Sequence, residues 1–230
     1  MSVAGPKHPE NFCLSVIIPT LNVAACLPAT LAALSDGPVA EIIVADGGST
    51  DAPIAPWPNL RVIRAPRGRG SQLAAGVAAA SGDWLLLLHA DTILQPAWQT
   101  AVRRHVASRP ECAGYFRFTL ASESPRARRL ERRVAWRCRV MSLPYGDQGL
   151  LIHRDLLAAI GGVPTLPLME DVAMVRRLGW RRLAELTATA TTSALRWEQE
   201  GWHYRSMRNL FCLSLYFIGF PPRWIVRLYA

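Results

Sequence analysis

Lysine is almost missing from this chain. Of 26 basic side chains in 230 residues, Lys7 is the single ammonium, and only 17 acidic side chains oppose them, for a formal net charge of +9. Arginine grips phosphate and carboxylate oxygens through a planar fork that lysine cannot imitate, so anionic partners are expected, although genome composition can produce the same bias. Cysteines are few and scattered. Cys13, Cys26, Cys112, Cys138 and Cys212 are odd in number and form no C-x-x-C pair, which argues against a disulfide scaffold or a zinc knuckle. The opening MSVAGPKHPENF lacks the apolar core of a signal peptide, and the longest apolar stretch, Leu210 to Phe220, is about half of what a membrane span needs. Glycine (16) and proline (17) are too scattered for a collagen-like or low-complexity protein. Reduced thiols and a cytoplasmic setting are therefore expected, with any membrane contact peripheral at the inner face.

Half of the residues are hydrophobic and 19% are charged, which supplies ample core and excludes a disordered chain. No internal repeat and no long linker interrupts the sequence, so one domain over residues 1–230 is expected. The first hundred residues alternate strand and helix. Leu14–Ile18 is a β-branched run stopped by Pro19, and a helical stretch runs from Leu21 to Ser35. Glu41–Ala45, Leu60–Ile63 and Trp84–Leu88 are three further strands, with helices over Ser71–Ala80 and Pro96–Val106. Four short apolar strands with crossover helices predict a parallel sheet buried on both faces, and ligands of such sheets bind beyond the carboxyl ends of the strands. Polar residues gather at those ends: Thr20 and Asn22, Asp46 and Asp51, Arg67 and Arg69, His89 and Asp91. They share one crevice.

The second half is less regular. Tyr115–Leu120 and Gly149–Ile152 read as strands, Glu170–Leu178 as a helix and Arg182–Ser193 as extended. Between the first two, Pro125 to Leu143 carries seven arginines with Leu130, Val134, Cys138 and Met141 at helical spacing. Such a segment fits an anionic membrane surface, a salt-bridged cover over the site, or a solvated face. The end of the chain, Trp202 to Tyr229, is aromatic and basic, and its stretch near Phe211 to Trp224 either extends a membrane surface or serves as core and dimer contact, with core the expected role.

Three constellations carry chemistry. Gly68-Arg69-Gly70 follows a strand and opens a helix, a tight turn that either aims Arg69 into the crevice or leaves it a solvated loop arginine; Leu73 stands where a dinucleotide fingerprint has its third glycine. His89-Ala90-Asp91 ends an apolar strand, where Asp91 either holds a divalent cation that also binds a diphosphate or caps the next helix. Glu170-Asp171 opens a helix, either complementing its dipole or supplying a general base.

In order and spacing, S-V-I-I-P-T-L-N (15–22), V-A-D-G-G-S-T-D (44–51), L-H-A-D-T (88–92) and M-E-D-V (169–172) resemble the family 2 glycosyltransferases. The likeness runs from about Leu14 to Trp197, and P-Y-G-D-Q-G (144–149) with R-W at Arg196 resembles the short bacterial subgroup labelled arsenosugar-biosynthesis glycosyltransferases. The resemblance implies an α/β, single-domain GT-A fold: a mostly parallel Rossmann-like sheet flanked by helices, an arginine-rich helical insertion and a C-terminal helical tail. Residues 14–110 would form the nucleotide-binding half, 111–200 the acceptor and catalytic half, and 201–230 the tail. It further implies an inverting transfer from a nucleotide-diphosphate sugar to an acceptor hydroxyl, with Mg2+ or Mn2+ as cofactor.

Residue roles follow from the same resemblance. Pro19, Thr20 and Asn22 would line the nucleotide pocket, Asp46 would contact the base, and Arg69 the ribose or diphosphate. Asp91 matches the last acid of the D-x-D metal motif, whose first acid is replaced by His89, which would contact the nucleotide sugar from that position. Asp171 matches the catalytic acid, with Glu170 beside it, and Asp147, Gln148, Arg196 and Trp197 would contact the acceptor or donor sugar. His203 or His153 would complete a metal shell or serve as surface and packing residues. The glutamine of the processive Q-x-x-R-W motif is absent, which argues against a polymerase. The expected partners are a nucleotide sugar, a small-molecule or lipid acceptor and a second copy in a homodimer, not nucleic acid. The rival readings are a sugar nucleotidyltransferase, disfavoured because Pro19-Thr20-Leu21-Asn22 stands where a G-x-G-x-R loop belongs, and an inactive scaffold binding membranes or anions, disfavoured by acids in the cleft.

Overall fold

Every residue from Leu14 to Ile18 is withdrawn from solvent, as only the centre of a doubly covered sheet allows. The computed structural model describes residues 12–52 and 54–229, and Lys7 lies outside them. Strands β1 (Leu14–Thr20), β2 (Val39–Asp46), β3 (Leu60–Arg64) and β4 (Trp84–Leu87) alternate with helices α1 (Leu27–Leu34) and α2 (Arg69–Ala79). They are followed by β5 (Thr92–Leu94), α3 (Trp98–Ser108), β6 (Ala113–Leu120), α4 (Pro125–Met141), β7 (Leu150–His153) and α5 (Arg154–Ala159). The chain ends in α6 (Glu170–Leu178), β8 (Leu183–Thr192), α7 (Leu195–Glu200), α8 (Trp202–Phe217) and α9 (Pro222–Tyr229).

All eight strands join one sheet in the order β3-β2-β1-β4-β7-β6-β8-β5. The β3-β2-β1-β4 half is parallel throughout, and its chain order reverses between β1 and β4, where a crevice opens beyond the carboxyl ends. β7 lies antiparallel to β4, with Leu87 opposite Leu150, so the residues that enter β7 stand where β4 ends. β8 runs parallel to β6, which brings its outgoing end, Thr192, to the same rim. One edge of the sheet thus collects the residues after β1, β2, β4 and β8 and those before β7.

Several boundaries move from the sequence expectation for identifiable reasons. The helix expected from Leu21 starts at Leu27, because Asn22 adopts a left-handed φ of 54° and the Val23 carbonyl accepts from both Cys26 and Leu27 N–H. β5, α5 and α7 are each of six residues or fewer, too short to show a period. The C-terminal tail departs most. It forms two helices, but Leu210, Phe211, Ile218 and Trp224 are exposed, so the expectation that it serves as core is corrected. Among the described residues, no helix is long and apolar enough to cross a membrane.

α2 reaches the rim through a close approach that only glycine allows. A Cβ on Gly70 would stand 2.3 Å from the Pro164 carbonyl oxygen and 2.8 Å from that of Leu166. Both obstacles are backbone and cannot swing away, so Gly70→Ala is expected to destabilise the protein by about 1–3 kcal/mol, or roughly 2–4 °C of Tm per kcal/mol. Thermal unfolding checks this, and an unchanged Tm would mean that the 164–166 segment yields freely.

Candidate active site

The loops after β1 and β2 are fixed to one another by side-chain hydrogen bonds. Gln72, on α2, donates from Nε2 to the carbonyls of Thr20 (2.6 Å) and Ala45 (2.9 Å), clamping together the ends of β1 and β2. Asp46 accepts from Gly48 N–H, from Ser49 N–H and hydroxyl, and from the Thr20 hydroxyl at 3.3 Å. Burial alone would raise the Asp46 carboxyl, but these hydrogen bonds prevail and hold it below its ordinary value. Asn22 Oδ1 accepts from Thr50 N–H at 2.8 Å, and Asp51 accepts from Ala24 N–H at 2.8 Å, so the β1 and β2 loops are laced across the crevice. Pro19 is half-buried beside them, at the β1 position paired with Ala45.

Across the crevice lie the acids. The short 3-10 turn Gly146–Gln148 precedes β7 and packs on the end of β4 so closely that a Cβ on Gly146 would fall 2.5 Å from His89 Nε2 and 3.4 Å from Asp171 Oδ2. Gly146 N–H donates to Asp171 Oδ2 at 2.8 Å, and Val172 N–H to the other carboxylate oxygen at 2.7 Å. Glu170 is 1% exposed, neither carboxylate oxygen has a hydrogen-bond partner, and Arg69 Nη1 lies 3.5 Å away. Met169, immediately before it, is held at a left-handed φ of 66°, a strained conformation for a side chain of this kind.

Burial, followed by the charge of Asp171, pushes the Glu170 carboxyl up to about 7, with Arg69 opposing. Burial likewise raises Asp147 to about 6; Arg137 opposes, and Asp171 and Asp91 add to the rise. His89 is held well below the usual histidine range by burial, then by Arg69 and Arg196, and is a neutral imidazole at pH 7. A carboxyl raised on folding keeps a proton that the unfolded chain releases, so its presence lowers stability as pH climbs from the ordinary carboxylate value through the folded one. Glu170→Gln is therefore expected to gain Tm relative to wild type as pH rises from 5 to 8, with little difference at pH 5. A difference that stays flat across that window would contradict the buried, proton-holding Glu170.

Several sequence-predicted residues take places other than the crevice wall. Gln148 is 2% exposed and fully engaged: Oε1 accepts from Tyr145 N–H (3.2 Å) and Arg137 Nη2 (3.3 Å), and Nε2 donates to the Phe116 carbonyl (3.0 Å). It holds the 143–148 loop from beneath. Trp197 stacks on Trp202 at 6.0 Å and under Arg205, whereas Arg196 is exposed on α7 and its charge reaches His89. His153 caps α5 and meets Trp84 edge-on, at the opposite end of β4 from Asp91, which removes it from any metal shell. His203 is exposed on α8.

Two residues that the sequence did not single out organise the site. Gln72 is the β1–β2 clamp. Arg137, one of the seven arginines of α4, lies 3.4 Å above the Tyr145 ring and donates to the Leu143 carbonyl at 2.8 Å, fixing the loop that carries Gly146 and Asp147. Arg128 also belongs to the fold, bonded to Glu131 and to the Ser122 carbonyl, so the arginine-rich helix is partly a salt-bridged cover. The one sequence signal was its place beside Cys138, which lies on the apolar face of the helix.

Among the described residues, no group of three His, Cys, Asp or Glu side chains forms a closed metal cage. The residues nevertheless suit a cation completed by substrate. Asp147 Oδ1 is buried without a hydrogen-bond partner, and the charges of Asp91 and Asp171 act on the same carboxylate. Small hard cations at phosphate sites commonly use one or two carboxylates and take their remaining ligands from diphosphate and water.

Known proteins share this architecture. A PGL/p-HBAD biosynthesis glycosyltransferase of Mycobacterium tuberculosis is 40% identical over 94 residues, a stretch spanning 36% of this chain and 37% of that protein. GalNAc-T7, solved with UDP, GalNAc and Mn2+, superposes with a TM-score of 0.61 at 14% identity, over 79% of this chain and 44% of that chain. The mannosyltransferase PcManGT from Pyrobaculum calidifontis, solved with GDP-Man and Mn2+, gives 0.59 at 20% identity, over 87% of this chain and 61% of that chain. These likenesses show the fold, that of the GT-A glycosyltransferases, with a mostly parallel sheet between helices. A family model described as glycosyl transferase family 2 matches residues 15–159, more than half of the sequence, and the chain belongs to that family.

Proposed function

We propose that the protein is an inverting, metal-dependent glycosyltransferase that moves a sugar from a nucleotide-diphosphate sugar to an acceptor hydroxyl in one displacement. The observation that carries this reading is the meeting, on one crevice, of the laced β1 and β2 loops with Asp91, Arg69 and the Gly146–Asp171 pair. The family match ends at residue 159, so the roles of Glu170 and Asp171 rest on this geometry and on the M-E-D-V resemblance. GalNAc-T7 and PcManGT were solved with UDP and GDP-Man respectively, which makes uridine and guanosine donors the first to test.

In this reading Pro19, Thr20 and Asn22 bound the nucleotide, and Asp46 shapes the turn beneath the base. Asp91 would hold a divalent cation together with the donor diphosphate, and such a cation neutralises the charge that develops on the departing group. Arg69 adds a fixed positive charge on the same side, and Glu170 positions it from below. Asp171 accepts the proton of the attacking hydroxyl: backbone N–H groups orient both of its oxygens, and it is open to the crevice where Glu170 is sealed. Neutral His89 seats Gly146 and hence the base. Asp147 and Arg196 face the sugar, while Gln148 and Trp197 support from behind.

The test is nucleoside diphosphate release from UDP- and GDP-sugars, with and without Mn2+, with early-time proton NMR of the released or transferred sugar. Release from one donor class, dependent on the cation and with inverted anomeric configuration, is expected. Retained configuration would overturn the single displacement, and cation-independent release would overturn the metal role.

A further inference from the structure

The C-terminal helices have two apolar sides, and only one is covered. Cys212 and Leu213 of α8 are buried, Leu213 in a cluster with Val172 and Val175 of α6, and Ile225 anchors α9. The opposite side faces water. Phe217, Ile218 and Phe220 form the turn between the two helices and are 41%, 77% and 46% exposed, and Trp224 and Leu228, one helical turn apart on α9, are 46% and 50% exposed. Of the sixteen exposed large apolar side chains among the described residues, nine fall between Tyr204 and Leu228. Scattered single apolar residues need no explanation, but a contiguous projecting set marks an interaction surface.

Charge selects the occupant. From Gly201 to Tyr229 the chain has four arginines and no acid. Arg205 and Arg208 are engaged by Glu200, whereas Arg223 and Arg227 stand on α9 within the apolar end itself. Arg227 lies 4.7 Å over the Trp224 ring and Arg176 of α6 lies 4.9 Å over Phe217, so guanidinium groups flank the exposed aromatics. A second copy of the chain would set these arginines against themselves. Aromatic and aliphatic side chains rimmed by arginine and free of acids match the anionic boundary of a bilayer, where the apolar groups sink to the acyl region and the guanidinium groups stay with lipid phosphates.

We propose that the α8–α9 hairpin is a membrane-seating surface: the Phe217–Phe220 turn and the Trp224–Leu228 face of α9 enter an anionic leaflet, and Arg223, Arg227 and Arg176 bind its head groups. This seat lies apart from the donor crevice and does not depend on the chemistry assigned there. It rests on the aromatic tail and not on the arginine helix α4.

Co-sedimentation with vesicles of phosphatidylcholine alone, or mixed equally with phosphatidylglycerol, tests it on the full chain. Wild type is expected to partition onto the mixed vesicles at low salt and weakly onto the neutral ones. Replacing Arg223 and Arg227 by Gln should weaken anionic binding about thirtyfold, and Ile218→Ser with Phe220→Ser and Trp224→Ser should lower it at least about tenfold on both vesicle types. These residues are exposed, and an unchanged Tm and circular dichroism spectrum would show that the variants fold. Absence of vesicle binding by wild type, or equal binding by folded variants, would overturn the proposal. So would a dimer in analytical ultracentrifugation that the triple variant abolishes while wild type ignores vesicles.

Discussion

Asp171→Asn is expected to leave nucleoside diphosphate affinity within about twofold of wild type while lowering kcat by about 10²- to 10⁴-fold, the usual worth of a positioned general base. The substitution is nearly isosteric. An asparagine carbonyl oxygen can still accept from Gly146 N–H, now at 2.8 Å from the carboxylate, so the 146–148 turn and its contact with His89 should persist. What disappears is the ability to take a proton, together with the acceptor for Val172 N–H at the first turn of α6. Glu170 cannot substitute, because it is sealed at 1% exposure and set against Arg69. Calorimetry for affinity and a coupled assay for nucleoside diphosphate release would separate the two effects. Near-wild-type turnover by the variant would remove Asp171 from proton transfer.

The second large effect concerns the donor. Asp91→Asn is expected to weaken nucleoside diphosphate binding in Mn2+ by at least about a hundredfold, and to bring affinities with and without Mn2+ together, since a neutral amide is a poor ligand for a hard cation. Asp91 lies four residues beyond the end of β4, in a segment that the Thr92 hydroxyl ties to Thr192 at 3.2 Å and the Ala90 carbonyl ties to Thr30 at 2.7 Å. The backbone is thus fixed independently of the carboxylate, and loss of binding would not reflect a collapsed loop. The ratio of dissociation constants with and without Mn2+ is the diagnostic quantity. A variant that keeps the wild-type ratio would place the cation elsewhere.

Much of the framework was legible because its determinants are local. β4 is an uninterrupted apolar run and β1 is broken only by Ser15 before Pro19 and Thr20, and α6 starts and ends at the residues expected, from Glu170 to Leu178. The polar clusters at the strand ends followed from the parallel sheet, since that topology sends every outgoing strand end to one side. What stayed hidden depends on distant partners. Gln72 looks like any helix residue until its amide bridges two carbonyls from β1 and β2, and Arg137 is one arginine among seven until Tyr145 folds beneath it. The family resemblance puts Gln148 at the sugar along with Asp147, yet a residue's position in a motif does not reveal which way its side chain turns. The tail misled for another reason. α8 and α9 are apolar enough for a core, and only the packed structure reveals that a single side of each, through Leu213 and Ile225, meets one.

Amide hydrogen exchange, with UDP or GDP in the presence of Mn2+ against apoprotein, reports where a nucleotide binds. Slowed exchange is expected across residues 20–22, 46–51 and 89–91, at the ends of β1, β2 and β4, with the nucleotide of the donor class. The loss of that protection in Asp91→Asn should accompany it. Protection confined to other segments, or none at all at saturating nucleotide and Mn2+, would contradict the assignment of this crevice as the donor site.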